Sequence, residues 1–297
     1  MANTYAHAES NIRKTWIYLT GFVALLVGFG WLVAELYAAP GILYSTVFLS
    51  LLLSLASYWF SDSIALGLAH AKPAERRAYP ELVRIVENLA IAAGIPTPRV
   101  YVIDEPAPNA FATGRDPRHA AVAVTRGLLE RLDKPELEGV VAHEFAHIGN
   151  RDTLIATVVI ILVGAISLIA NLFLRGGWSG GRRSDRERSG VLLIIGIAAA
   201  ILAPLAATLI RLAISRKREF LADATGALIT RYPEGLARAL EKISHDSTPM
   251  RDASPVISHL WFGAPEGGGK KTSWYARIFS THPPTGERIR ALREMAR

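Results

Sequence analysis

Within the five residues His143-Glu144-Phe145-Ala146-His147, three side chains suit one chemistry. Four residues along an α-helix amount to roughly 400° of rotation, so the two imidazoles stand one above the other on one face. Nitrogens placed that way can share one tetrahedral zinc ion. Glu144 sits beside that face, too close to its neighbour to ligate and well placed to take a proton from a metal-activated water. Chance is a weak rival: with 8 His among 297 residues, the H-E-x-x-H pattern is expected about 0.01 times. Leu137, Val140, Val141 and Ile148 form the apolar stripe that would fix such a helix against a core.

Two histidines need a third protein ligand, and a catalytic zinc keeps its fourth position open. The chain has no cysteine, so thiolate ligands and disulfides are excluded and any zinc must be held by His and carboxylate side chains. Glu219 is the candidate if the chain returns to the level of His143 and His147. Asp223, one turn further, would share its face and accept a ring N–H from a ligating histidine. The competing reading of both is a solvated charged face following Arg216–Arg218. A site with an open position and an adjacent carboxylate suits hydrolysis: Glu144 takes the proton of a water attacking a peptide carbonyl, then hands it to the leaving amine.

The elements that must position these groups are membrane-like. Hydrophobic residues make up 51% of the chain, and four apolar stretches are long enough to cross a bilayer. Thr15–Ala34, Gly41–Phe60 and Thr153–Leu174 carry no charge, and Val191–Ile214 carries only Arg211, near one end. The first is followed within a few residues by the second, which fits an anchor and not a cleaved signal peptide. A net charge of +7 is explained by basic residues flanking these stretches, so no nucleic-acid partner is expected. Arg13 and Lys14 favour a cytoplasmic N-terminus, and eleven Lys or Arg between residues 61 and 152 favour the same side for that region. Residues 175–190 carry five Arg, which fits poorly with the outside location that four simple crossings would give them. Either the positive-inside rule is broken there, or the last two apolar stretches form a hairpin that does not fully cross.

Between the membrane stretches, the periodicity predicts an amphipathic helix over Pro80–Ile95, with Gly94 as its stop. Alternating β-branched residues predict strands at Arg99–Ile103 and His119–Thr125. Asn109–Gly114 lies between them, either as an ordinary hairpin arm or as a sheet edge able to pair with an extended peptide. A short helix is expected at Arg126–Leu132, and Pro135 should start the metal helix. That helix is expected to run almost uninterrupted into Thr153–Leu174, Gly149 being only a weak break. Helices are also expected over Ser215–Ala224, Glu234–Ser244 and Thr285–Met295, and a flexible lid over residues 263–273.

Four groups of residues together carry a resemblance: His143-Glu144-x-x-His147; Asn150-Arg151-Asp152; Arg218-Glu219-x-x-Ala222-Asp223; and Phe279–Pro284 followed by Thr285-x-Glu287-Arg288-Ile289. With Asn109–Gly114 ahead of them, they resemble the HtpX-type membrane metalloproteases, whose wider family also contains the CAAX prenyl proteases. Phe145-Ala146 stands where many relatives have Leu-Ser. The resemblance implies a mostly α integral membrane protein: four hydrophobic helices plus a zincin-like α+β catalytic domain with a small sheet. The expected division is residues 1–60 as one membrane hairpin, 153–214 as a second, and 61–152 with 215–297 as the peptidase domain. The implied activity is a zinc endopeptidase, one Zn²⁺ per chain, in a bacterial inner membrane with its catalytic part in the cytoplasm. Its substrates would be misfolded or damaged membrane proteins. His143, His147 and Glu219 are then the ligands and Glu144 the base. Asp223 and Asp152 stand behind the ligands, and Asn109, Phe111, His282 and Arg288 serve substrate or transition state. A capped surface helix after Pro283-Pro284 is the alternative for His282 and Arg288. Two other functions compete: a site-specific protease of the prenyl-protease kind, and a zinc-binding scaffold without catalysis, against which the intact Glu144 speaks.

Overall fold

The computed structural model describes residues 2–36, 38–159, 162, 216–251, 260–263 and 283–296. Two long helices open the chain, α1 (Ala2–Leu36) and α2 (Gly41–Leu68), joined by a tight turn. Among the described residues these two are long and apolar enough to cross a membrane. Large side chains such as Trp16, Trp31, Tyr44, Phe48, Leu52, Leu55 and Trp59 point outward from them. The fourth apolar stretch, the arginine-rich loop and most of the third stretch lie outside the described residues, as does the expected lid beyond Gly263.

The remainder is helical with one small mixed sheet. Strands β1 (Lys72–Pro73), β2 (Arg99–Ile103), β3 (Ala110–Thr113) and β4 (Ala121–Thr125) stand in the order β1-β2-β4-β3. β2 and β4 run parallel, and the outer pairs are antiparallel. Thus β3 is an edge. His119, expected in the last strand, instead lies in a 3-10 turn (Pro117–His119) because Asp116 accepts hydrogen bonds from the backbone N–H of Arg118 and His119.

Alternation along β4 divides the sheet's two faces. Val122 and Val124 pack with Leu82, Ile85 and Val86 of α3 (Pro80–Ala93) and with Val140, Val141 and Phe145 of α5 (Lys134–Gly149). Ala121 and Ala123 face the other way, onto Ala65 and Leu66 of α2 and onto Phe111 and Trp261. The second membrane-like helix is therefore built into the sheet's outer layer. Gly94, at φ 65°, stops α3 in the left-handed conformation that glycine adopts without strain.

α4 (Arg126–Arg131) is capped by the Thr125 hydroxyl, which accepts from the Leu128 N–H. α5 begins with a reciprocal capping box: Asp133 accepts from the Glu136 N–H at 3.1 Å, and Glu136 accepts from the Asp133 N–H at 2.9 Å. Such a cap contributes about 1 kcal/mol. Pro135 lies in the first turn, where its missing N–H costs nothing.

The end of α5 departs from expectation. The helix stops at Gly149, Arg151 takes φ 60°, and a new helix, α6, covers residues 152–159. The physical reason is local geometry around His147. In a continuous helix residue 152 would point roughly 140° away from residue 147, whereas the break folds Asp152 back towards it. After the undescribed stretch come α7 (Arg216–Thr230), α8 (Pro233–His245) and α9 (Thr285–Met295).

Candidate metal centre

Burial begins the site. α5 is covered by the sheet, α7 and α8, so His143 is 1% exposed and Glu144 3%. α7 reaches α5 closely because Gly226 lies against it: a Cβ there would stand 2.9 Å from the His143 backbone nitrogen. That crossing brings Glu219, about two turns earlier on α7, across from the two imidazoles.

The distances are compatible with a metal site. His143 Nε2 and His147 Nε2 are 3.1 Å apart. Glu219 Oε2 lies 3.8 Å from the first and Glu219 Oε1 3.6 Å from the second. Zinc bonds of 2.0–2.1 Å at tetrahedral angles separate neighbouring ligand atoms by about 3.3 Å, and the three spacings bracket that value. His143, His147 and Glu219 could therefore hold one ion, and a His-His-carboxylate donor set suits zinc.

Each ring is oriented from behind. Asp223 Oδ1 lies 2.9 Å from His143 Nδ1, and Asp152 Oδ2 lies 3.0 Å from His147 Nδ1. A carboxylate there would fix each ring so that its other nitrogen is available to a metal. Asp223 is itself held by Arg288, through Nε at 2.8 Å and Nη2 at 2.7 Å. The remaining arm of that guanidinium, Nη1, is 3.9 Å from Glu219 Oε2.

The two rings have divergent proton affinities. Burial, incompletely offset by Asp223, pushes the His143 pKa down to about 4. Burial acts the same way on His147, but the Asp152 hydrogen bond and the Glu219 and Glu144 charges outweigh it and carry the pKa up to about 9. Asp223 is pulled down to about 2, burial opposing and the Arg288 ion pair prevailing. Arg288, 2% exposed, stays a cation.

Asn109 and Phe111 occupy different settings. The Asn109 side chain acts as a strand residue would: its oxygen accepts from the Gly263 N–H at 2.9 Å and its nitrogen donates to the Gly263 carbonyl at 3.1 Å. The Ala110 carbonyl accepts from the Phe262 N–H at 2.8 Å. Residues 262 and 263 therefore lie along the start of the β3 edge. By strand alternation, Ala112 presents its main-chain groups to the same side as Ala110. Phe111 is fully buried on the opposite face of the sheet from α5, edge-on to Trp261 at 5.0 Å. His282 lies outside the described residues.

Sequence reasoning missed two contributors. Phe262 sets its ring 5.1 Å from that of His143 and 5.0 Å below the Arg288 guanidinium; no pattern in the sequence marks it. Asn11 of α1 donates to Asp152 Oδ1 at 2.8 Å. Its signal was available, as a lone amide one turn ahead of an uncharged apolar stretch.

The comparisons with known proteins agree with this geometry. Residues 75–296 match the family model of peptidase family M48. A protease HtpX homolog of Thermoanaerobacter pseudethanolicus is 45% identical over 298 residues, covering 98% of this chain and 97% of that protein. Those of Tropheryma whipplei strain Twist and Pyrococcus furiosus are 44% and 45% identical, covering 98% and 95% of this chain and 98% and 95% of their own. Among solved structures, the crystal structure of S. mikatae Ste24p shares the fold, with a TM-score of 0.52 and 19% identity over 98% of this chain and 67% of that one.

Proposed function

Because the chain belongs to peptidase family M48, a family of metallopeptidases, we propose that it is a zinc endopeptidase that cleaves misfolded or damaged membrane proteins. The observation that carries this reading is the convergence of His143, His147 and Glu219 on one point, with Glu144 buried beside them. Bound there, zinc would polarise a water and the scissile carbonyl. Glu144 takes the proton of the attacking water and passes it to the leaving amine. Asp223 and Asp152 hold the imidazoles, and Arg288 holds Asp223.

The substrate main chain pairs with the β3 edge at Ala112, extending the line that residues 262 and 263 already occupy. Asn109 and Phe111 shape that edge, the first by tethering Gly263 and the second by packing beneath Trp261. His282 and the Nη1 arm of Arg288 are assigned to the substrate and to the negative charge that develops on its carbonyl oxygen.

We place the protein in a bacterial inner membrane as a four-helix, multi-pass protein, with residues 1–60 and 153–214 as hairpins. Residues 61–152 and 215–297 form one cytoplasmic peptidase domain. Support comes from α1 and α2, whose aromatics cluster at two levels. Trp16 stacks on Tyr58 at 5.7 Å, with Trp59 beside it, and Trp31 and Tyr44 mark the other end. Fifteen residues between levels give about 22 Å, short of the roughly 30 Å hydrocarbon core, which the full lengths of α1 and α2 exceed.

The test is cleavage of unfolded casein by detergent-purified protein stripped of metal and then resupplied. Loss with chelator and recovery with zinc at one equivalent per chain is the expected result. Cleavage that persists after complete metal removal contradicts the reading.

A further inference from the structure

We infer that Asn11 is a positioning residue of the metal centre, fixing through Asp152 the orientation of His147 and so making the first membrane helix part of the site. The inference rests on the metal reading above and adds a component that lies about 130 residues before the nearest ligand.

The Asn11 side chain is 3% exposed. Its one amide nitrogen donates twice, to Asp152 Oδ1 at 2.8 Å and to the Asn150 carbonyl at 2.9 Å. Both acceptors belong to the break between α5 and α6. The Asn150 carbonyl ends a helix and has no intrahelical partner to expect. Asp152 uses its other oxygen, Oδ2, on His147 Nδ1 at 3.0 Å. Its Oδ1 also lies 3.6 Å from Arg218 Nη1. Asn11 is thus the closest donor to the oxygen that sets the tilt of the carboxylate, and hence the direction of the His147 ring. Below this polar contact the two elements continue through an apolar seam, Leu19, Phe22 and Leu26 of α1 against Leu154, Ile155 and Val158. The seam presses α1 on α6, while Asn11 converts that docking into orientation of a ligand. An amide suits the position because it supplies two protons and no charge, where a lysine would compete with His147 for Asp152.

The test uses the full-length protein in detergent and reads zinc affinity by competition with a chelating dye, together with unfolding temperature. Asn11→Ala should weaken zinc binding by about 10–100-fold, the usual cost of removing a group that orients a ligand. Leu26→Ala, which loosens the same helix without touching Asp152, should lower the unfolding temperature and leave zinc affinity unchanged. In the double variant with Asp152→Ala, removing Asn11 should have little further effect on affinity, since it acts through that carboxylate. Wild-type zinc affinity in a folded Asn11→Ala protein overturns the inference, and so do affinity losses that multiply independently in the double variant. Either result leaves the peptidase reading standing if the wild type binds zinc tightly. Absence of zinc binding by the wild type overturns both.

Discussion

At the scale of single residues, the site depends on which carboxylate meets the metal. Glu219 and Asp223 are one turn apart on α7 and both buried. Their partners separate them: Glu219 faces the Nε2 atoms of both histidines, whereas Asp223 is spent on His143 Nδ1 and on two arms of Arg288. Glu219→Ala should therefore purify without zinc at nanomolar free metal. Asp223→Asn keeps an acceptor for the ring N–H and should retain zinc when the metal is abundant, with affinity or turnover lowered ~10–100-fold. Metal analysis of the two proteins decides, and the reverse pattern would exchange their roles. Arg288→Ala is a different kind of change. It leaves the Asp223 carboxylate buried without its counter-charge, at a cost of about 3–5 kcal/mol. A fall in unfolding temperature is expected with it, and an unchanged temperature would show that Arg288 is not structural.

At the scale of elements, the break between α5 and α6 is the feature that assembles the back of the site. Arg151 sits at φ 60° and its N–H donates to the Ile148 carbonyl at 3.2 Å. Glycine reaches that conformation freely and proline cannot reach it at all. Arg151→Gly should thus keep zinc affinity within a few-fold of wild type, while Arg151→Pro should lose more than tenfold. Equal affinities would mean that Asp152 does not need the break. Little of this was legible beforehand. The helices around Leu82, Glu136 and Leu236 and the strand at Arg99 announce themselves through period, caps and β-branched residues, because those signals act over a few neighbours. The break does not, since Asn150-Arg151 has no strong local preference and the left-handed turn is imposed by tertiary contacts. β1 is two residues long, too short for any alternation to register. The pairing of His143 with His147 on α5 was legible because an i, i+4 pair declares its own geometry. Glu219 was legible only as a candidate, because its approach depends on Gly226 lying against His143. Asn11 and Phe262 arrive from segments over a hundred residues away, and spacing along the chain cannot foresee such contacts.

At the scale of the whole molecule, the candidate metal site draws on α1, α5, α6, α7 and α9, and the proposed topology puts the site-forming ends of these segments on one side of the membrane. The chain has no cysteine, which makes single-cysteine labelling clean. The His119 side chain is about half exposed, on the turn before β4. In intact cells His119→Cys should resist an impermeant thiol reagent and react after permeabilisation; ready labelling of intact cells would place the peptidase domain outside. The membrane helices are also more than anchors in this arrangement, since α2 backs the sheet through Ala65 and Leu66 and α1 reaches Asp152 through Asn11. In the proposed mechanism a metal and a neighbouring carboxylate divide the chemistry between them, and Glu144→Gln separates the two. The direct measurement is zinc content and casein cleavage on the same purified sample of that variant. One zinc per chain with cleavage lowered by about 10²–10⁴-fold is the predicted result. Cleavage at the wild-type rate with zinc in place would contradict it.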